Sequence, residues 1–180
     1  HPDTGALFDR LVPVDPSAGI AWEPKREIRP YQIFAACLRS GPAEPETRRA
    51  IVEQATEHLL TPHGMRTLAP GSPGYVGRLE GSMFDRDRAY HNGTVWPRLM
   101  GPFVEAMLRS ESFSKAARVR AREAMRPLID AMETQDPGAV AEIYDGDHTD
   151  AHPQRPDGCV TQAWAVAELL RVYELSLSDE

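Results

Sequence analysis

The chain of 180 residues has little of several features, and each scarcity excludes a class of protein. No apolar run approaches the roughly 20 residues that a membrane-spanning helix needs, so a membrane protein is not expected. Basic residues number 20 against 27 acidic ones, and the resulting net charge of −7 repels phosphate backbones and anionic lipids. Nucleic acid and membrane surfaces are therefore excluded as partners.

Cysteine is equally scarce, since only Cys37 and Cys159 occur. They form neither a CxxC pair nor another metal-ligand spacing, and we expect two buried free thiols in a reducing compartment. No signal peptide is present, which favours a cytoplasmic location. Glycine-rich phosphate loops, GxSxG elbows and HExxH motifs are also absent, so no cofactor is expected.

Helical periodicity dominates the sequence that remains. Apolar residues at Leu99, Met100, Phe103, Val104 and Met107 recur at the spacing of one helix face. The pattern predicts five helices, from about Pro30 to Arg39, from Pro45 to just before Pro62, and over 95–108, 114–132 and 160–175. Two long irregular loops, 68–89 and 136–158, separate them, and no strand pair is predicted. We therefore expect an all-α fold of five or six helices, with residues 1–180 in one domain.

Two stretches combine the groups that bind sugars. The first is Tyr90–Pro97, and the second is Glu142–Asp147 followed by Gly158–Trp164. Sugar hydroxyls bond to polar side chains, and the C–H faces of sugar rings pack on aromatic rings. The candidate aromatic walls are Tyr90, Trp96 and Trp164, and the candidate hydrogen-bonding groups are His91, Asn92, Thr94 and Gln162. Either tryptophan is equally well explained as a large core residue at a helix start.

Glycoside hydrolysis requires one protonated and one ionised carboxyl group at the scissile bond. Glu142 is the candidate for the ionised partner, because it precedes a tight Asp145-Gly146 turn in a loop that also carries Tyr144. A solvated loop glutamate is the alternative interpretation. Asp145 and Asp147 compete for the same role, although Asp145 also suits a turn.

A metal site in the same loop is another interpretation. His148 and His152 are four positions apart, a spacing that directs both imidazoles at one ion on a helix. Gly146 and Pro153 flank them and disfavour a helix, and the later ligands of a calcium-binding EF-hand loop are missing. No metal is therefore expected.

Taken in order, these and other motifs resemble the C-terminal glucosidase part of glycogen-debranching enzymes. Members of that family carry Tyr-His-(Gln/Asn)-Gly-Thr-Val-Trp-Pro, which matches residues 90–97. The further matching segments are Arg29-Pro30, Gln32-Ile33-Phe34, Leu60-Thr61-Pro62, Gly64-Met65-Arg66-Thr67-Leu68, Gly101-Pro102-Phe103, Glu142-Ile143-Tyr144-Asp145-Gly146-Asp147 and Gln162-Ala163-Trp164. Together they run over most of residues 28–171.

The resemblance implies the C-terminal portion of an (α/α)6 toroid and inverting hydrolysis of α-1,6-linked glucose at glycogen or dextrin branch stubs. It implies that Glu142 is the general base, as in the Glu-x-Tyr-Asp element of related toroidal hydrolases such as trehalases. The sugar-binding positions that it implies are Tyr90, His91, Trp96, Gln162 and Trp164.

The chain departs from the family at two positions and in length. Tyr31 stands where asparagine is common, and Arg98 stands where an aromatic residue is usual. A toroid of about twelve helices needs more than 180 residues, and the family's general-acid aspartate lies upstream of anything that resembles this chain. We therefore expect a fragment that supplies the base half of the site, is inactive alone, and associates with itself or with the missing half.

Two other functions stay open. A non-catalytic carbohydrate-binding or assembly module would keep the aromatic lining without the chemistry. A toroid hydrolase of other specificity would act on trehalose or on the glucose cap of an oligosaccharide. The expected partner is otherwise a branched α-glucan or oligosaccharide substrate.

Overall fold

A computed structural model describes residues 1–14, 17, 22–134 and 138–178. Within these ranges six α-helices form: α1 (Gln32–Cys37), α2 (Pro45–His58), α3 (Met83–Tyr90), α4 (Met100–Ser110), α5 (Lys115–Thr134) and α6 (Ala163–Leu177). The short strands are β1 (Arg10–Pro13), β2 (Trp22–Lys25), β3 (Leu60–Thr61), β4 (Gly64–Arg66), β5 (Val95–Trp96), β6 (Ile143–Tyr144) and β7 (Pro156–Asp157). A 3-10 turn over Pro97–Leu99 links β5 to α4.

The strands form two antiparallel sheets. One contains β1 and β2, and the other contains the remaining five strands in the order β3-β4-β5-β6-β7. Helices account for 46% and strands for 12% of the structure, so the fold is mixed α/β. The prediction of an all-α portion of an (α/α)6 toroid is therefore wrong.

The shortness of the strands explains this error. An alternating pattern becomes visible only over about four to eight positions, whereas most strands of the larger sheet contain two residues. Val95 and Trp96 are both buried and continue the apolar stripe of the helix that follows. Their backbone pairs with Arg66 and Met65 across a long stretch of sequence, and no local pattern indicates that pairing.

A helix also lies inside the first predicted loop, 68–89. α3 begins after Ser82, whose hydroxyl accepts a hydrogen bond from the Asp85 N–H, while the Asp85 carboxylate accepts one from the Ser82 N–H at 3.0 Å. This reciprocal arrangement satisfies two N–H groups that a helix start leaves free. Only Ala89 of α3 is buried, so the helix lacks the apolar stripe on which the prediction depended.

The other predicted helices are found in the structure, whereas the second predicted loop contains strands. α1, α2, α5 and α6 lie where the periodicity predicts them, and the predicted helix 95–108 contains most of α4. The second predicted loop contains β6 and β7. Its predicted first residue, Asp136, lies outside the described residues.

The core is centred on α4. Eight of its 11 residues are buried, and it packs against α1, α2, α5 and α6. A helix that is apolar on most of its faces has to be surrounded by other elements. Phe103, the largest of its side chains, has no exposed surface. The 3-10 turn and β5 therefore extend from the most firmly packed part of the molecule.

Two further expectations concern the cysteines and the membrane. The prediction of two buried free thiols is confirmed for Cys37 and wrong for Cys159, which is free but exposed. None of the helices in the described ranges is long and apolar enough to cross a membrane.

Candidate functional site

The short strands bring the two predicted sugar-binding stretches together. Val95 of β5 pairs with Tyr144 of β6, and β6 pairs in turn with β7, which leads towards α6. The end of α3, the residue before β6 and the segment after β7 consequently meet. The structure thus places residues from positions 90, 142 and 159 in direct contact.

Glu142 lies at the centre of this junction and is half-buried. The Tyr90 hydroxyl donates a hydrogen bond to its Oε1 at 2.6 Å, and the Cys159 N–H donates one to its Oε2 at 2.9 Å. The hydrogen bonds from Tyr90, from the Cys159 N–H and from the Gln162 side chain lower the pKa of Glu142, and burial only partly opposes them. The carboxylate is therefore ionised at neutral pH.

The backbone of the junction is fixed as well. The Glu142 N–H donates a hydrogen bond to the Cys159 carbonyl at 2.9 Å, so the two residues are joined by backbone and side chain. Gly158, directly before Cys159, has a φ of +74°, and a Cβ at this position would lie 2.6 Å from Oε2 of Glu142. Glycine is required here both for the backbone conformation and for the close approach of the carboxylate.

The three candidate aromatic walls and the His91 ring, which was predicted as a hydrogen-bonding group, form one continuous cluster. The Tyr90 and Trp96 rings meet edge to face with centroids 5.0 Å apart, and the His91 ring stacks on Trp96 at 5.4 Å. The Trp164 ring contacts Trp96 at 6.4 Å. Trp96 is only 4% exposed, which fits a core residue, whereas Trp164 is 48% exposed and open to a ligand.

The ionisation of Tyr90 and His91 follows from their surroundings. Burial and the hydrogen bond to Glu142 raise the pKa of Tyr90 to about 12, so its hydroxyl stays a donor across the neutral range. Burial and the nearby Arg98 cation lower the pKa of His91, which makes its imidazole neutral at pH 7. The cluster therefore places one carboxylate among uncharged polar rings.

Thr94 and Asn92 contact the protein in this structure. The Thr94 hydroxyl is buried and lies 2.5 Å from the Tyr90 carbonyl oxygen, and the Trp96 Nε1–H donates to the same oxygen at 3.1 Å. These side chains satisfy a carbonyl that the end of α3 leaves without a helical partner. The Asn92 Oδ1 accepts a hydrogen bond from Arg29 Nη2 at 2.8 Å. Their predicted substrate-binding roles stay predictions, and the observed contacts hold Tyr90 and the following loop in place.

Gln162 stands at the start of α6, immediately before the helix. Its N–H donates to the Val140 carbonyl at 2.8 Å, while its side chain contributes to the low pKa of Glu142. Trp164 follows in the first turn of α6. The sugar-binding role predicted for both stays a prediction, and the structure brings Gln162 to Glu142 and Trp164 to the aromatic cluster.

The two competing acids already have protein partners. Asp145 is 2% exposed, and its Oδ2 accepts hydrogen bonds from Arg155 Nε at 2.7 Å and Arg78 Nη1 at 3.1 Å. Asp147 accepts one from the Tyr75 hydroxyl at 2.9 Å. Asp145 therefore ties the loop before α3 to the segment between β6 and β7. In the part of the chain that the structure describes, no group of three or more His, Cys, Asp or Glu side chains is arranged to hold a metal ion.

Arg86 and Asp157 were not predicted as site residues. With Tyr90 and Gly158 they line a hollow of about 260 Å³ beside the Glu142 junction. Arg86 Nη2 donates to both Asp157 carboxylate oxygens, at 3.0 and 3.1 Å. The alternating charges around Arg86 are visible in the sequence, but nothing local indicates a partner 71 positions away.

Comparison with known proteins agrees with the motifs. A family model described as amylo-alpha-1,6-glucosidase matches residues 14–171. The match includes every candidate site residue, from Tyr90 to Trp164. No curated protein matches the chain.

Proposed function

Because the chain belongs to the amylo-alpha-1,6-glucosidase family, we propose that it takes part in the hydrolysis of α-1,6-linked glucose at α-glucan branch stubs. Membership confirms the resemblance carried by the motifs and relates the chain to glycoside hydrolases. In our proposal the reaction inverts the configuration at the anomeric carbon, and Glu142 is its general base.

The observation that supports this assignment is the pair of hydrogen bonds on Glu142. Tyr90 and the Cys159 N–H each hold one carboxylate oxygen, which fixes the orientation of the group. The same bonds lower its pKa and keep it ionised. An ionised, oriented carboxylate is what a base needs in order to take a proton from water.

The proposed reaction proceeds in one displacement. Glu142 removes a proton from water while the water oxygen attacks the anomeric carbon of the terminal glucose. The bond from that carbon to the branch-point oxygen breaks, and a separate acid protonates the departing oxygen. Attack from the side opposite the departing oxygen converts the α-linkage into β-glucose.

The surroundings of Glu142 suit a neutral sugar. The hollow lined by Arg86, Asp157 and Tyr90 adjoins the base through the Tyr90 hydrogen bond, and we assign the terminal glucose to it. Of the predicted sugar-binding positions, Tyr90 lines this hollow. The proposed sugar-binding positions are Tyr90, His91, Asn92, Thr94, Trp96, Gln162 and Trp164. Of the three candidate aromatic walls, Trp164 has the most open ring surface for packing.

The chain is proposed to supply only the base half of the site. The carboxylate of Asp157, which lines the hollow assigned to the glucose, is paired with Arg86 and is therefore poorly suited to donate a proton. An inverting pair stands about 6.5–9.5 Å apart. We assign the proton donor to the aspartate that the family resemblance implies, for which this sequence offers no matching motif.

The 180-residue chain alone is therefore expected to release essentially no glucose from branched dextrin. This chain joined to the segment that carries the proton donor, which we term the complete enzyme, is expected to release β-glucose. A coupled glucose assay measures the rate, and proton NMR of the first product identifies its anomer. Robust turnover by the chain alone would contradict the base-half assignment, and α-glucose as the first product would contradict inversion.

Replacing Tyr90 by phenylalanine is expected to raise the pKa of Glu142. The tyrosine hydrogen bond is the largest influence that lowers this pKa, and the substitution removes it. A base acts only when ionised, so activity falls as pH drops through its pKa. In the complete enzyme, the acidic limb of the pH profile of kcat/KM should therefore move to higher pH.

Tyr75→Phe is a matched control for this shift. Tyr75 also has a pKa raised to about 12, by burial and by its hydrogen bond to Asp147, but it does not contact Glu142. The control should leave the acidic limb in place. A limb that is unmoved in Tyr90→Phe would show that another group sets it.

A further inference from the structure

Arg98 has unusual contacts for a charged residue. Its guanidinium carbon lies 5.1 Å from the Trp96 ring centroid and 4.5 Å from the Trp164 ring centroid. Among the described residues its buried Nε has no hydrogen-bond acceptor. A buried donor without a partner is unfavourable, so a shift of the Arg98 side chain that brought its guanidinium to a ligand acceptor would be stabilising.

Arg98 lines a hollow of about 390 Å³ that lies between α1, α4 and α6. Its lining includes Phe34, Leu38 and Trp164, all of which are at least 40% exposed. Exposed apolar side chains beside an unpaired donor provide stacking surface and hydrogen bonding together. This combination is the one that recognises a sugar ring.

The other charges in the hollow neutralise each other. Arg171 pairs with Glu105 at 2.7 Å and with Glu168 at 2.8 Å, and all three line the hollow. With Arg98 the lining holds two positive and two negative side chains, and their formal charges cancel. An anionic ligand would face both glutamates, so a neutral ligand fits better.

We propose that this hollow binds the neutral α-glucan chain that departs when the terminal glucose is cleaved, with Trp164 stacking on a sugar ring and Arg98 donating to its hydroxyls. The proposal rests on the proposed function and names the binding surface of its leaving group. Arg98, which stands where the family usually has an aromatic residue, thereby becomes a specificity residue of this chain.

Separate hollows for the terminal glucose and for the leaving chain suit an inverting reaction. The base and the leaving group lie on opposite sides of the reacting sugar in an inverting reaction. Trp164 lines the hollow at Arg98, whereas Tyr90, which contacts Glu142, lines the hollow assigned to the terminal glucose. The Trp96 ring contacts both Tyr90 and Trp164, so the aromatic cluster connects the two sides.

Binding of a linear α-1,4-linked oligosaccharide to the chain tests the proposal without any need for catalysis. Titration calorimetry should give a Kd that Arg98→Met and Trp164→Ala each weaken about tenfold, roughly the worth of one stacked or charge-assisted contact. Trp22→Ala is the matched control, because Trp22 is 54% exposed in β2 and lies outside the hollow. It should bind the oligosaccharide as the unsubstituted chain does.

Each outcome separates this proposal from the one on which it rests. Unchanged binding in both Arg98→Met and Trp164→Ala, with urea unfolding showing intact folds, would overturn the leaving-chain assignment. If an oligosaccharide of equal length that carries carboxylates bound more tightly than the neutral one, the assignment of a neutral ligand would be wrong. Binding that survives Glu142→Gln supports the hollow, while persistence of hydrolysis in that variant of the complete enzyme would remove only the base assignment.

Discussion

Replacing Glu142 by glutamine is expected to lower kcat of the complete enzyme by about 10²- to 10⁴-fold, the usual contribution of a general base. Glutamine keeps the size of the side chain and can still accept the Tyr90 hydrogen bond, but it cannot take a proton from water. KM should change little, because the substituted group acts on water and not on the sugar. Steady-state kinetics on branched dextrin measures both constants.

Glu57→Gln is the control for this loss. Glu57 lies on α2 with its side chain 75% exposed, and the same chemical change there should leave kcat unaltered. If Glu142→Gln retained full kcat, the base would have to be another group, even though the chain would still belong to its family.

Gly158→Ala is expected to lower kcat about 100-fold, an effect that a displacement on the order of 1 Å at a reacting group can produce. The new Cβ would lie 2.6 Å from Oε2 and 3.0 Å from Cβ of Glu142, so the carboxylate has to move. The left-handed backbone at φ +74° adds a stability loss of about 1–2 kcal/mol. Kinetics and urea unfolding measure the two effects separately.

Gly138→Ala separates the backbone effect from the displacement of the base. Gly138 has a φ of +77°, but a Cβ there would meet no atom of the described residues within 4 Å. It should lose the same stability as Gly158→Ala and keep its activity. Equal activity in the two variants would show that the position of Glu142 tolerates crowding, contrary to a fixed base.

Family motifs predicted which residues belong together, but not how they meet. Tyr90 and Glu142 were both candidates from the residue types of their loops, yet their 2.6 Å contact depends on a single backbone pairing between Val95 and Tyr144. A strand pairing that involves a single residue on each side produces no periodic pattern of apolar residues in the sequence. The same reason explains why the mixed α/β character was missed.

Other features were hidden for different physical reasons. Arg86 and Asp157 form an ion pair between a polar helix and a two-residue strand, and neither element carries an apolar signal. Arg98 was visible as a departure from the family, but its two tryptophan contacts depend on how α6 packs beside the 3-10 turn. By contrast, the helices with clear apolar stripes lie where the periodicity predicts them.

Tyr90 forms hydrogen bonds both through its backbone carbonyl and through its side-chain hydroxyl. Its carbonyl oxygen is bound by Thr94 and by the indole of Trp96, while its hydroxyl holds the carboxylate of Glu142. A shift in the stacking surface is thus transmitted through one rigid ring to the proton acceptor. If the proposed function holds, a change of sugar specificity has to adjust both parts together, because substitutions at residues in contact do not act independently.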